Sequence, residues 1–338
     1  MKRTTFSFFL LLVLLISGCR GQTDEIPGSN AVSELLSVEI GKLNQWLLIR
    51  GEDKSKPVLL WLHGGPGSAQ MPIHHAYTKT LEKEYVVVHW DQRGAGKSNH
   101  AGFREESMTL ERFVRDVHEV TQYLKNRFDK EKIMLLGHSW GTQIGILAVK
   151  GQPEDYSAYV SVSQVVDPRR SDSLSYQWLK QEVDKRGSHA QKKKFEGLGK
   201  PPFEDHDTYV SFAKMKDTFG GGMDAGFATL AWKALGAREY SLGDYIRWFR
   251  GANRGSGPMW DESRTFNIFK DIPKLEVPVW FIAGEDDMNT PVTLIKEYFD
   301  FVESPEKNFI IMENCAHTPF IGNPAQFNRE IMSINPKS

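Results

Sequence analysis

The stretch Ile133-Met134-Leu135-Leu136-Gly137-His138-Ser139-Trp140-Gly141-Thr142-Gln143-Ile144-Gly145-Ile146-Leu147-Ala148-Val149 changes pattern at one serine. Residues 133–136 form an unbroken apolar run, as in a strand buried on both faces, and residues 144–149 suit the first turns of a helix. Between them Gly137-His138-Ser139-Trp140-Gly141 fits G-x-S-x-G, a sharp strand-to-helix turn that lifts a serine hydroxyl clear of the sheet while the glycines make room for the backbone. The five residues alone are weak evidence in a chain with 29 glycines; the setting of strand before and helix after gives them weight. Ser139 is the candidate nucleophile, and the helix N-terminus behind it favours negative charge developing there.

Outward from this point the same buried-strand pattern recurs at 57–62, 85–90, 159–166, 279–283 and 308–312, preceded by a short alternating pair at 35–40 and 45–50. Between two of these runs, Leu110, Phe113, Val114, Val117, Val120 and Leu124 repeat at helical spacing behind a Thr109 cap. Strand and helix alternate, which predicts an α/β fold: a mostly parallel sheet flanked by helices. From 167 to 262 no strand-like run occurs, charge is abundant and glycines cluster, so this stretch is expected to be a helical cap inserted after the sixth strand. The core then comprises 31–166 and 263–338.

A serine nucleophile needs a base, an acid to orient the base and donors for the oxyanion. His63-Gly64-Gly65-Pro66-Gly67 follows the 57–62 run, and in α/β-hydrolases, which the elbow and sheet resemble, a glycine-rich loop there supplies one N–H while the residue after the nucleophile supplies the other. This assigns Gly65 and Trp140. His63 is read as fixing that loop. The base is His317, in Glu313-Asn314-Cys315-Ala316-His317-Thr318-Pro319 after the last strand run. For the acid, Glu285, Asp286 and Asp287 compete after the 279–283 run, with Asp167 a further candidate. Asp91-Gln92-Arg93-Gly94-Ala95-Gly96-Lys97-Ser98 fails as a phosphate loop because Asp91 stands where G-x-x-x-x-G-K-[ST] requires glycine. The remaining histidines show no metal-ligand spacing, so no metal is expected.

Taken in order, His63-Gly-Gly-Pro-Gly67, Asp91-Gln-Arg-Gly-Ala-Gly-Lys-Ser98, Gly137-His-Ser-Trp-Gly141, Gly284-Glu-Asp-Asp287 and His317 make the chain resemble the proline iminopeptidase group of α/β-hydrolases over roughly 57–166 and 277–335. The family pattern places the acid four residues before Pro291, which singles out Asp287. The resemblance implies a cofactor-free serine peptidase that removes an N-terminal residue, often proline. One departure concerns the cap. Family members hold the substrate amine with cap carboxylates, often within W-x-x-W-E, and here no tryptophan precedes a glutamate; Glu182, Asp217, Asp224 and Asp244 read as solvated surface charge. An esterase or amidase acting on exported small molecules or envelope lipids is the alternative within hydrolases, and a tethered, non-catalytic binding protein is the alternative outside them.

Charge and composition exclude other classes. With 42 basic and 43 acidic residues mixed along 338, there is no electrostatic footprint for nucleic acid, and 40% hydrophobic content suits a globular core. The one long apolar run starts after Lys2 and Arg3, spans 6–16 and ends at Ser17 and Gly18 before Cys19. This is a signal-peptide layout over 1–18, and Ile16-Ser17-Gly18-Cys19 resembles a bacterial lipoprotein signal with lipid on Cys19. Residues 19–30 then read as lipidated cysteine and polar tether, and the protein as exported, facing periplasm or cell surface, anchored to a membrane without spanning it. Cys315, left without a partner, is expected in the core.

Overall fold

A computed structural model describes residues 21–334, so the signal segment 1–18 and Cys19 lie outside the described residues. Eight strands form one sheet: β1 (Val32–Ile40), β2 (Leu43–Gly51), β3 (Val58–Leu62), β4 (Val86–Asp91), β5 (Ile133–His138), β6 (Tyr156–Val162), β7 (Val279–Gly284) and β8 (Lys307–Met312). Their order is β1-β2-β4-β3-β5-β6-β7-β8. The β1–β2 and β2–β4 pairings are antiparallel and the rest parallel, which is the α/β-hydrolase sheet expected from the sequence.

The unbroken apolar runs follow from burial on both faces. In β3, Val58, Leu60 and Leu62 enter one core while Leu59 and Trp61 enter the other, as the two-residue strand period dictates. The first core packs against α1 (Leu110–Phe128), α2 (Trp140–Gly151) and α8 (Val292–Phe301); the second packs against α9 (Pro324–Ser333) through Phe327 and Ile331. Thr109 caps α1 by accepting from Arg112 N–H at 3.2 Å, and the helix ends on Asp129 in the left-handed region.

One strand differs from its expected span. β6 covers Tyr156–Val162, not 159–166. Ser163 still donates its N–H to Ile282 O at 2.8 Å but adopts φ 55 and ends the strand, while Val166 beyond it stays buried, so the apolar run continues through a buried loop that burial pattern alone cannot tell from strand.

Between β6 and β7 the chain is helical: α3 (Pro168–Arg186), α4 (His189–Leu198), α5 (His206–Thr218), α6 (Phe227–Ala234) and α7 (Leu242–Arg254), with short turns between them. Leu179, Val183, Phe195, Phe212 and Met215 give α3–α5 a small core of their own, which lets so charged a segment fold. Two of the carboxylates expected to be solvated are not. Asp244 is buried, pairing at 2.8 Å with Lys97, itself stacked on Trp46, and this joins α7 to the 91–98 loop. Asp224 is turned inward, as described below.

Of the segment expected to be a polar tether, residues 21–24 lie against the body. Gly21 and Gln22 N–H donate to Arg238 O at 2.7 and 3.3 Å, Thr23 Oγ1 donates to Glu239 at 2.8 Å, and Arg50 donates to Asp24 O at 2.6 Å. Among the described residues no helix is long and apolar enough to cross a membrane.

Candidate active site

At the end of β5 the backbone turns at Ser139, with φ 54 and ψ −125, a conformation that side-chain-bearing residues rarely hold. Crowding explains the flanking glycines. A Cβ on Gly141 would stand 2.4 Å from Leu62 O, and one on Gly137 would stand 2.8 Å from Gly141 O. Ser139 is the N-cap of α2 but makes no capping bond, so its hydroxyl is left for other partners.

That partner is His317, whose Nε2 lies 2.7 Å from Ser139 Oγ. On its other side His317 Nδ1 lies 2.9 Å from Asp287 Oδ2. Asp287 is fully buried and also accepts from Asn289 N–H at 2.7 Å, Thr290 N–H at 3.0 Å and Thr290 Oγ1 at 2.7 Å. Burial works against its charge, but the His317 charge and hydrogen bond and the Thr290 donors outweigh burial and hold its pKa below the ordinary carboxylate value. An ionised Asp287 accepts Nδ1–H and leaves the Nε2 lone pair toward the serine.

The competing acids stand elsewhere. Glu285 and Asp286 are exposed, and Asp167 caps α3 while accepting from Asn267 at 2.9 Å. His63 is buried and holds the glycine loop: Nδ1–H donates to Gly64 O at 2.9 Å and Nε2 accepts from Gln92 N–H at 3.2 Å. Burial pushes its pKa down to about 4, which keeps it neutral. His138 is likewise driven to about 3 by burial and by the nearby His317; it donates from Nε2 to His317 O at 2.8 Å.

Gly65 and Trp140 border the same recess as Ser139. Gly65 has φ 116, and its N–H meets no acceptor among the described residues. Trp140 opens α2, so its N–H has no partner within the helix. The neighbouring Gly64 lets this loop approach, because a Cβ there would stand 3.0 Å from Ser139 Cβ.

Two chambers meet at Ser139. The larger, of about 490 Å³, is walled by Ala69, Ile73, Met223, Phe227, Leu230, Trp248, Phe320 and Ile321. The smaller, of about 230 Å³, includes Asp172, Tyr209, Trp260 and Arg264. Among the described residues no group of three or more His, Cys, Asp or Glu is placed to hold a metal ion. Cys315, within the His317 loop, is buried, and burial raises its thiol to about 11.

A further residue of the site was not expected from sequence. Asp224 reaches from the cap to the His317 loop and accepts from Ala316 N–H at 2.7 Å, Thr318 N–H at 2.6 Å and Thr318 Oγ1 at 2.9 Å. His317 N–H itself donates to Gly222 O at 2.9 Å, so cap backbone and cap carboxylate hold the loop on both sides of the histidine. No sequence signal joins residues some 92 positions apart. Asp224→Asn puts an amide N–H against backbone donors; kcat is expected to fall roughly 10- to 100-fold, as for a displacement of about 1 Å at a reacting group, with KM nearly unchanged. Steady-state kinetics on a short ester, with thermal melting to exclude unfolding, check this.

The family described as "Serine aminopeptidase, S33" matches residues 53–233. The "Probable aminopeptidase YbaC" of Bacillus subtilis (strain 168) is 33% identical over 306 residues, covering 89% of this chain and 96% of that one. A "Proline iminopeptidase" of Heyndrickxia coagulans is 27% identical over 275 residues, covering 80% and 87%. In fold, the proline iminopeptidase-related protein TTHA1809 from Thermus thermophilus superposes with a TM-score of 0.61 at 16% identity, over 89% of this chain and 96% of that one. An elbow serine on a parallel sheet, the family match over most of the core's first half and the full-length relative agree: the chain belongs to the S33 serine aminopeptidase family and is a serine hydrolase of the α/β-hydrolase fold.

Proposed function

We propose that this hydrolase is an aminopeptidase, similar to proline iminopeptidases, acting on short peptides or amino-acid amides through an acyl-enzyme. In this reading Ser139 attacks the carbonyl while its proton passes to His317 Nε2, and Asp287 holds the imidazole tautomer and stabilises the imidazolium. Gly65 and Trp140 N–H groups receive the oxyanion. His317 then protonates the departing amine, and a water, deprotonated by the same imidazole, releases the amino acid.

The observation that carries the peptidase reading is Asp172, which lines the smaller chamber together with Ser139, Gly65, Trp140 and His317. That chamber is sized for one residue with a free amine, and Asp172 is its candidate partner for the ammonium. Burial raises the Asp172 pKa to about 6, against the pull of Lys216 and Arg264, so it is charged above that pH and neutral below. An α-amine is protonated below about 7.7–8.0. Binding of aminoacyl substrates is therefore expected to be tightest between these limits, with KM rising as pH falls through about 6. Asp172→Asn is expected to raise KM for aminoacyl-naphthylamides about 10- to 100-fold, the worth of one charge-assisted bond of roughly 1.5–3 kcal/mol, and to spare short acyl esters. Turnover of esters alone by the wild type overturns the peptidase reading.

A second reading, an esterase on acyl substrates, is favoured by the apolar walls of the larger chamber. The same substrate panel separates the two. We also propose that the protein is exported and carries lipid on Cys19, a reading supported by the basic start, the apolar 6–16 stretch and Ser17-Gly18 before the cysteine. A mature N-terminus whose mass lacks acyl chains sinks it.

A further inference from the structure

The cap carries an apolar surface that the folding of this chain leaves uncovered. Met223, Phe227, Trp232, Leu242, Ile246 and Phe249 are between 40% and 75% exposed, all on one segment of the cap. Outside this segment, the large apolar side chains of comparable exposure among the described residues are Phe301 and Ile311. Leu242, Ile246 and Phe249 follow one another at i, i+4 and i+7, a single outward stripe of α7. The other side of α7 already packs inward, where Trp248 donates to Ala69 O at 2.9 Å and Asp244 is buried against Lys97. Phe227 joins α6 to the stripe, its ring 5.9 Å from that of Phe249 and 6.3 Å from that of Trp248. Phe227 and the α7 stripe thus form one apolar face, with Trp232 exposed farther along α6, and a face of this kind marks a binding surface.

Charge on the same elements has one sign outward. Glu239 and Asp244 are buried and Asp224 is bonded to the His317 loop, whereas Lys233 and Arg250 are exposed; Arg238 pairs with Asp24, and Asp217 of α5 accepts from Met223 N–H. Exposed aromatic and aliphatic side chains bordered by basic ones are the composition of a face that lies in an anionic lipid interface.

The path of the chain points the same way. Gly21 and Gln22 are hydrogen-bonded to Arg238 O, in the loop that joins α6 to α7. Gly21, the first described residue, follows Cys19 by two positions in the sequence.

We propose that the α6–α7 face of the cap seats on an anionic lipid bilayer, on the same side of the molecule as the anchor; the orientation rests on the lipidated Cys19 reading, the face itself on α6 and α7. Met223 and Phe227 belong both to this face and to the wall of the larger chamber. Docking therefore places the apolar wall of the chamber at Ser139 beside the lipid interface, where short peptides with apolar side chains concentrate.

The test uses the full chain on phosphatidylethanolamine–phosphatidylglycerol vesicles containing brominated acyl chains, which quench tryptophan only on contact. Wild-type emission is expected to be quenched, and Trp232→Phe to lose that part of the quenching which the other eight of the nine tryptophans do not supply. Ile246→Glu/Phe249→Glu is expected to lose it too while hydrolysing a soluble short ester as wild type does, and phosphatidylcholine vesicles are expected to quench less. Equal quenching in the wild type and the double glutamate variant overturns the proposal. So does a wild-type dimer that the double variant converts to monomer without any lipid quenching, since the face then covers a second copy. The mass of the mature N-terminus is read separately: an unlipidated chain that still shows Trp232 quenching refutes the anchor and supports the face, and a lipidated chain without it refutes the face alone.

Discussion

Ser139→Ala is expected to lower kcat by roughly 10⁶-fold and to abolish labelling by a fluorophosphonate, with the fold intact. The size of the loss follows from what the oxygen does. Ser139 Oγ stands 2.7 Å from His317 Nε2 at the mouth of both chambers, and among the described residues lining them no other hydroxyl is bonded to that base. Alanine keeps the backbone turn, and the elbow glycines that permit it are untouched, so melting temperature is expected to change little. What remains is catalysis by oxyanion donors and binding, still about 10³- to 10⁴-fold over water. Because serine and histidine act as one unit, Ser139→Ala/His317→Ala is expected to cost no more than either change alone. A wild-type protein that the fluorophosphonate leaves unlabelled overturns the nucleophile assignment and supports a binding role.

The parts of this molecule that sequence exposes are those where one local pattern has one physical cause. Val58–Leu62 reads as a central strand because both faces of it are buried, and Gly137 and Gly141 read as an elbow because a Cβ at either would strike backbone. Ser139, His317 and Asp287 come together for a related reason: each follows a strand of the parallel part of the sheet, so chain order places them at one edge. Patterns with two causes misled. The apolar run through Val166 is strand as far as Val162 and buried loop beyond it. Charge in the cap has the same ambiguity. Asp244 and Asp224 look like solvated acids, but one neutralises buried Lys97 and the other holds the His317 loop, and both partners come from distant parts of the chain. The outward stripe of α7 is the converse case, an amphipathic repeat whose apolar residues face away from the protein.

Asp287→Asn is expected to lower kcat by about 10⁴-fold while KM and the fold are retained, because the substitution changes one proton and almost no volume. The carboxylate now accepts His317 Nδ1–H at 2.9 Å, and its other oxygen accepts from Asn289 and Thr290 N–H. The amide of asparagine can satisfy the backbone donors with its oxygen only by turning its NH₂ toward Nδ1. That amide N–H requires a lone pair on Nδ1, moves the imidazole proton to Nε2 and leaves the base unable to accept from Ser139. The same reasoning fixes the pH dependence of stability. The folded Asp287 pKa lies below the ordinary value of 3.8, so its ionisation contributes stability that is fully present well above that value and is lost as pH falls through the folded pKa. The difference in stability between wild type and Asp287→Asn is therefore expected to be flat well above the ordinary carboxylate value and to shrink in more acidic solution, which denaturant titrations at several pH values measure. Asp167→Asn provides the control, since Asp167 caps α3 through Arg170 N–H and makes no bond to His317. Its loss is expected to cost under about 1 kcal/mol of stability and to leave kcat within about twofold. A larger kcat loss from Asp167→Asn than from Asp287→Asn would move the acid to the end of β6 and reverse the assignment.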